Sequence, residues 1–251
     1  QYNWSITYSF EDKDPYGGYV FNQLLGSVFE EESIHHSYKT LYELSDSVRD
    51  NYNILVISSN FNGGKEDSDF LLRHVEHGGK VFISSQYFLG HFADTLGLST
   101  SDYFFSGGDF ALNGDTAALR FVNPNVDTVQ GFYYRRDNIH NYFNHFDTTR
   151  TTVIAKNDRG KPVTIRIRWG QGDFILNSTP LAFTNIYLLA GNNYEFASTT
   201  LSYLSSAPVE WTEYYHLGRM ETGTPLRFIL TNEPLRWAYY ITIIAIIVYM
   251  I

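Results

Sequence analysis

Two short apolar runs stand out in the first hundred residues. Asn53–Ser59 (NILVISS) and Lys80–Ser85 (KVFISS) each end in small polar residues, a pattern typical of strands that are buried on both faces of a parallel sheet. Between them, apolar residues over Phe70–Val75 predict a helix that ends at Gly78-Gly79. A second helix is expected over Tyr87–Leu96. A strand, helix, strand, helix order with short loops predicts a parallel sheet with right-handed crossovers.

The pattern changes before and after this region. Ser5–Phe10 is a short β-type run, and apolar residues from Tyr19 onward recur at helical spacing. Residues of about 102–148 alternate aromatic and polar side chains around Gly and Asn turns, which predicts a β-rich insertion. Thr151–Lys156 and Pro162–Trp169 flank a clear turn and predict a β-hairpin.

The last fifteen residues, WAYYITIIAIIVYMI, contain no charge, no Gly and no Pro. As a helix they extend roughly 22 Å, which is short of the ~30 Å hydrocarbon core of a bilayer. We interpret 236–251 as a truncated transmembrane helix, 223–235 as a juxtamembrane stalk and 1–222 as a domain outside the cytoplasm. The alternative is a C-terminal helix that is buried in a protein core.

Composition excludes several kinds of site. The 251 residues carry a net charge of −9, which argues against nucleic acid as a partner because nucleic-acid binding needs basic patches. The absence of Cys excludes disulfides, a thiol nucleophile and thiolate metal sites. Aromatic residues make up 17% of the chain, which is high. The rings within 103–146 have two interpretations: they pack in the core of a β extension, or a surplus of them forms an exposed platform for a partner protein or a glycan.

Several segments together resemble a known family. They include Asp14-Pro15-Tyr16-Gly17 before a helix, Trp169-Gly170-Gln171-Gly172, and Gly218-Arg219 before the apolar tail. The chain resembles the domain of unknown function 4350 family, membrane-anchored proteins common in Bacteroidota. The resemblance implies a fold similar to class I glutamine amidotransferases. The predicted fold class is therefore α/β, a three-layer parallel-sheet domain of flavodoxin-like or amidotransferase-like type.

The chain departs from active amidotransferases at the nucleophile. Those enzymes place a Cys on the turn between a strand and a helix, whereas the strand ends here carry Ser58, Ser59, Ser84 and Ser85. Thioester chemistry on glutamine needs a thiol, so the chain is not a glutamine amidotransferase. Ser84-Ser85 precedes a helix as a nucleophile elbow would, but the motif lacks flanking Gly.

The histidines do not form a convincing metal motif. His74 and His77 share a helix face but lack a third ligand, and the HExxH order is absent. His140 and His145 would face opposite ways on a strand, and the His35-His36 pair is placed in a polar loop without a role. We predict no metal, no cofactor and no catalytic residue.

Ligands of doubly wound sheets bind beyond the carboxyl ends of the parallel strands. The sequence therefore predicts a ligand pocket from polar residues near those ends. Its candidate residues are Tyr16, Ser59, Asn60, Asp69, Ser85 and Thr179.

The predicted function is that of a non-catalytic binding or scaffold domain in a cell-envelope complex. Its expected partners are other membrane or envelope proteins and, through the C-terminal helix, the lipid bilayer. Its expected location is the inner membrane, with the domain facing the periplasm. One alternative is a hydrolase that acts on an envelope substrate through a Ser or a carboxylate at the sheet end. A second alternative is a small-ligand sensor.

Overall fold

The computed structural model describes residues 2–45, 52–103, 115–123, 131–218 and 233–250. The chain divides into two compact units, Gln1–Gly218 and Arg219–Ile251. Most of the predicted stalk, residues 223–232, lies outside the described residues.

The described part of the first unit contains strands and helices in mixed order. The strands are β1 (Ile34–Ser37), β2 (Asn53–Phe61), β3 (Lys80–Phe88), β4 (Ser99–Asp102), β5 (Thr116–Phe121), β6 (Phe132–Arg135), β7 (Asn141–His145), β8 (Thr151–Asn157), β9 (Pro162–Trp169), β10 (Gly172–Asn177) and β11 (Val209–Thr212). The helices are α1 (Tyr19–Val28), α2 (Leu41–Leu44), α3 (Lys65–Glu76), α4 (Gly90–Leu96), α5 (Asn185–Leu188), α6 (Asn193–Leu201) and α7 (Tyr214–Leu217). Short 3₁₀ helices span Glu31–Ser33 and Pro180–Phe183.

Nine of these strands form one mixed sheet in the order β1-β11-β2-β3-β10-β9-β8-β5-β6. The pairs from β1 to β10 are parallel, and the pairs from β10 to β6 are antiparallel. The predicted parallel-sheet fold class is therefore wrong. The physical reason is the tight turn at Gly170, whose φ of +57° lets β9 and β10 pair as neighbours and reverses the strand direction.

The core lies on both faces of this sheet. Along β2, Leu55 and Ile57 pack into one buried cluster, while Ile54 and Val56 pack into the other. Helices α1, α5 and α6 lie on the Leu55 side, whereas α3 and α4 lie on the Ile54 side. Burial on both faces explains why the strand reads as a continuous apolar run rather than an alternating one.

Several locally predicted elements are confirmed. The helix expected from Tyr19 is α1, and the hairpin flanking the turn after Lys156 is the β8–β9 pair. The helix expected to end at Gly78-Gly79 is α3. The run Ser5–Phe10, by contrast, is not a strand but an irregular segment.

The second unit is described by one helix, α8 (Glu233–Met250). Within the described residues, no helix is both long enough and apolar enough to cross a membrane. The transmembrane helix predicted over 236–251 is therefore wrong. The physical reason lies in the first turn of α8, where Glu233 and Arg236 take up part of its 18 residues and shorten the uncharged run.

Replacing either of two glycines with alanine should change the stability of the protein, in opposite directions. A Cβ on Gly172 would lie 2.1 Å from the carbonyl oxygen of Gly79 and 2.6 Å from that of Val75, so Gly172→Ala should destabilise the protein by about 1–3 kcal/mol or more. A Cβ on Gly26, in the exposed part of α1, meets open space, so Gly26→Ala should raise stability by up to about 1 kcal/mol. Urea unfolding measures both changes, and a Gly172→Ala variant as stable as the parent would contradict the close approach.

Candidate functional site

Hydroxyl and amide groups meet at the carboxyl ends of β2, β3 and β10, and Asn177 lies at their centre. Its Oδ1 accepts hydrogen bonds from Ser84 Oγ at 2.8 Å and from the Thr179 main-chain N–H at 2.7 Å. Its Nδ2 donates to Thr164 Oγ1 at 2.9 Å. All four residues are buried. The sheet end is therefore a hydrogen-bonded polar core in which these side chains satisfy one another.

The serines of the neighbouring strand ends are engaged in the same way. Ser58 Oγ donates to Ser85 Oγ at 3.4 Å, and Ser85 Oγ donates to the carbonyl oxygen of Tyr87 at 3.0 Å. Both serines are buried. A nucleophilic serine needs a base on its hydroxyl, but these hydroxyls are bonded to serine or main-chain oxygens.

The irregular N-terminal segment 7–12 is held by a buried carboxylate. Glu213 follows directly after β11, and its oxygens accept hydrogen bonds from the Phe10 main-chain N–H at 2.6 Å and from Ser9 Oγ at 3.2 Å. Burial raises the pKa of the Glu213 carboxyl to about 7, while the hydrogen bonds from Phe10, Ser9 and Tyr38 oppose that rise. This carboxylate therefore fixes the segment to the end of β11.

Tyr8 in this segment has a φ of +48°, which is unusual for a residue other than glycine. Its ring is buried and packs edge-on against the His216 ring with centroids 4.8 Å apart. Its hydroxyl lies beside Ser59 without a hydrogen bond of good geometry, and burial raises the pKa of the phenol. The strained backbone at Tyr8 places a large ring against the end of β2.

The first strand contributes a histidine to this region. The His36 ring stacks on Phe10 with centroids 3.9 Å apart, and its Nε2 lies 2.9 Å from Asn22 Oδ1. Burial, with a smaller contribution from the neighbouring His35, lowers the pKa of His36 to about 4. A cavity of about 460 Å³ adjoins it. The cavity is lined by Asn22, Gln23, Gly26, Ser27, Glu31, Ile34 and His36.

The structure brings together only part of the predicted pocket. Ser59, Asn60, Ser85 and Thr179 lie at the same edge of the sheet, where the Ser85 and Thr179 side chains are buried.

The other two candidate residues have different contacts. The Tyr16 hydroxyl accepts a hydrogen bond from Asn138 Nδ2 at 2.9 Å. Asp69 lies on α3, with its Oδ1 3.4 Å from His91 Nε2. One pocket lined by all six residues therefore stays a prediction.

The described rings of the aromatic stretch are mostly buried. Six are buried, Phe146 is partly buried and Tyr133 is exposed; the buried rings are Tyr103, Phe121, Phe132, Tyr134, Tyr142 and Phe143. Core packing therefore accounts for most of the described rings in this stretch, while Tyr133 is left exposed.

Sequence reasoning missed the residues that cover the sheet end. Tyr8 and Phe10 were assigned to a strand, and His36 was assigned to a loop without a role. Glu213 carried a usable signal, because an acidic residue that comes directly after a buried strand lies at the ligand-binding edge of such a sheet. The unusual backbone of Tyr8 had no signal in the sequence.

The comparison with curated proteins found no match. Among solved structures, the chain is similar to the exo-β-1,4-mannosidase Op5Man5 from Opitutaceae bacterium strain TAV5, with 15% identity and a TM-score of 0.39. That match covers 61% of this chain and 25% of the mannosidase, so the chain spans a quarter of that enzyme's length.

Two proteins from Salmonella typhimurium are similar over most of their own length. Cytoplasmic protein STM1381 from strain LT2 matches with 9% identity, a TM-score of 0.45, and coverage of 73% of this chain and 87% of that chain. Cytoplasmic protein STM3548 matches with 10% identity, a TM-score of 0.43, and coverage of 71% and 85%. These likenesses carry no argument about function.

The family comparison is more specific. The model of a family described as a domain of unknown function, DUF4350, matches residues 10–201. This range includes every strand of the mixed sheet except β11 and all six residues of the predicted pocket. The chain therefore belongs to the DUF4350 family.

Proposed function

We propose that this chain is a non-catalytic binding domain that docks another protein of the cell envelope. The docking surface is a band of exposed apolar side chains, which we call the exposed band. The exposed band consists of Trp4, Tyr133, Ile186, Leu189 and Tyr194.

Contacts on the sheet face covered by α5 and α6 connect the members of the exposed band. The Trp4 ring packs edge-on against Tyr16 at 6.0 Å, and the carbonyl oxygen of the preceding Pro15 accepts a hydrogen bond from the Ile186 N–H at 2.9 Å. Leu189 lies one helical turn after Ile186. These contacts support a continuous surface from the N-terminal segment to α5.

The same surface continues into α6 and the sheet edge. Tyr194 lies in the first turn of α6, and its neighbour Asn193 donates a hydrogen bond to the carbonyl oxygen of Tyr133 at 3.0 Å. Tyr133 lies on β6, the last strand of the mixed sheet. The exposed band therefore joins two helices to a sheet edge.

Exposure of this band is the observation that carries the proposal. Leu189 is 72% exposed and Trp4 is 59% exposed. Clustered exposed apolar side chains mark interaction surfaces, and Tyr and Trp are enriched at the centres of protein interfaces. The bonded serines at the sheet end further support binding over hydrolysis, because their hydroxyls already have partners.

Leu189→Glu tests the exposed band, and Leu89→Glu is its matched control. Leu89 is also exposed but precedes α4, on the opposite face of the sheet. The protein would be purified through an affinity tag, and co-purifying envelope proteins would be quantified. A charge in the centre of an apolar interface should weaken binding by at least about 2 kcal/mol, so recovery of the partner should fall at least tenfold in Leu189→Glu.

Leu89→Glu should retain the partner at the parent level, and both variants should unfold at the parent temperature. Loss of the partner from both variants to the same extent, or its retention by both, would contradict the proposal. The location facing the periplasm and the Bacteroidota origin stay predictions, and cell fractionation checks the first of them.

A further inference from the structure

Three arginines converge on a pocket in the antiparallel half of the sheet. The pocket has a volume of about 280 Å³. It is lined by Thr149, Arg150, Thr151, Thr152, Arg166 and Arg168, and we call it the arginine pocket.

Strand register explains why the arginines meet. Arg166 and Arg168 are two residues apart on β9, so their side chains lie on the same face of the sheet. The Arg168 N–H donates to the carbonyl oxygen of Arg150 at 2.9 Å, which places Arg150 opposite Arg168 across the pair. Thr152 lies opposite Arg166. Four of the six lining residues thus lie on two paired strands, while Thr149 and Arg150 lie in the turn directly before β8.

Two carboxylates lie close to these arginines, and each contacts the Nε nitrogen of one guanidinium. Asp147 Oδ2 lies 3.0 Å from Arg150 Nε, and Asp173 Oδ1 accepts from Arg166 Nε at 2.8 Å. Within the described part of the chain, the terminal guanidinium nitrogens of both arginines donate no hydrogen bond to a carboxylate, and Arg168 forms no ion pair. These terminal nitrogens can therefore donate paired hydrogen bonds to the oxygens of a bound anion.

The local charge is opposite to that of the whole chain. Lys80 also lies near Asp173, at 3.8 Å, so four cationic side chains share two carboxylates in a chain with a net charge of −9. Like charges that face each other across paired strands are destabilising. An anion between Arg150 and Arg168 would relieve this repulsion.

One guanidinium is held in place before any ligand binds. The Arg150 guanidinium carbon lies 4.9 Å from the centre of the Trp169 ring, a cation–π contact that limits its orientations. An arginine that is already oriented loses less side-chain entropy when it binds an anion.

We propose that the arginine pocket binds the phosphate group of a small molecule. Guanidinium forks match phosphate oxygens in bidentate geometry, and the Thr152 hydroxyl is a further donor on the same face. A volume of about 280 Å³ lies at the lower limit of typical ligand pockets, which fits a small phosphate ester better than a nucleotide. The pocket is separate from the sheet end and from the exposed band.

Calorimetric titration with inorganic phosphate, at constant ionic strength set by chloride, tests the proposal. The parent protein should bind phosphate saturably with a Kd of about 1 mM or below, and Arg168→Gln should weaken binding at least tenfold, in the range for a hydrogen bond to a charged group. Arg168→Lys should keep part of the affinity, since it keeps the charge but loses the fork. Arg73→Gln, on α3, is the matched control and should bind like the parent.

Two further experiments distinguish a free phosphate ester from a lipid headgroup as the ligand. Glycerol phosphate should bind at least as tightly as inorganic phosphate if the ligand is a free ester. If the parent protein sediments with vesicles of phosphatidylglycerol and phosphatidylcholine and the Arg168→Gln variant does not, the phosphate belongs to a lipid headgroup. No saturable binding by about 10 mM phosphate, or equal affinity in the parent and Arg168→Gln, would overturn the proposal.

Discussion

Replacing Phe196 with alanine should lower the free energy of unfolding by about 3–5 kcal/mol. Phe196 is fully buried in α6, where its ring lies 5.3 Å from Phe121, 5.6 Å from Phe132 and 6.1 Å from Phe183. These rings come from the antiparallel half of the sheet and from the 3₁₀ helix after β10. Truncation would leave a cavity where the two halves of the sheet share one core.

Urea unfolding followed by circular dichroism measures this loss. Tyr194→Ala is the control, because Tyr194 lies on the same helix with an exposed ring, and it should change stability by less than about 0.5 kcal/mol. A Phe196→Ala variant within about 1 kcal/mol of the parent would show that α6 does not cover this core.

Replacing Glu213 with glutamine should change how stability depends on pH. The pKa of Glu213 rises from an ordinary 4.5 to about 7 in the folded protein because of burial. The folded state therefore binds a proton more tightly than the unfolded chain. The contribution of Glu213 to the free energy of unfolding is complete below pH 4.5 and is lost as the pH rises through about 7. This difference in pKa corresponds to about 3 kcal/mol.

Glutamine cannot ionise, so Glu213→Gln should gain up to about 3 kcal/mol relative to the parent between pH 4.5 and pH 8. His36 acts with the opposite sign, since its lowered pKa of about 4 makes stability rise with pH up to about 6.5. The measured quantity is therefore the difference between variant and parent, in which the His36 contribution cancels. A difference that does not vary with pH would contradict the buried state of Glu213.

The sequence predicted the local elements well because their causes are local. The apolar run at Asn53–Ser59 and the glycines after α3 determine a strand and a helix end through burial and backbone geometry. The strand order has no such local cause. The reversal at Gly170 and the crossing from β10 to β11 depend on which edges pair, so the predicted parallel sheet was wrong.

The sequence predicted the location of a candidate site residue only where the position of that residue along a strand determines it. Ser59 and Ser85 lie near the sheet end because they end the apolar runs of β2 and β3. The contacts of Tyr16 with Asn138 and of Asp69 with His91 join residues that are distant in sequence, so the sequence did not predict them. Glu213 was missed because it follows Asn53 by 160 residues in sequence, although β11, which ends directly before Glu213, pairs with β2 in the sheet.

The central claim is that the exposed band binds a partner protein. Photo-crosslinking from a benzoylphenylalanine at position 189, in cells and with position 89 as the reference, tests it most directly. We predict one discrete crosslinked envelope protein from position 189, absent from position 89 and lost when Trp4 and Tyr194 are both replaced by serine. No crosslink from position 189, or the same products from both positions, would contradict the account.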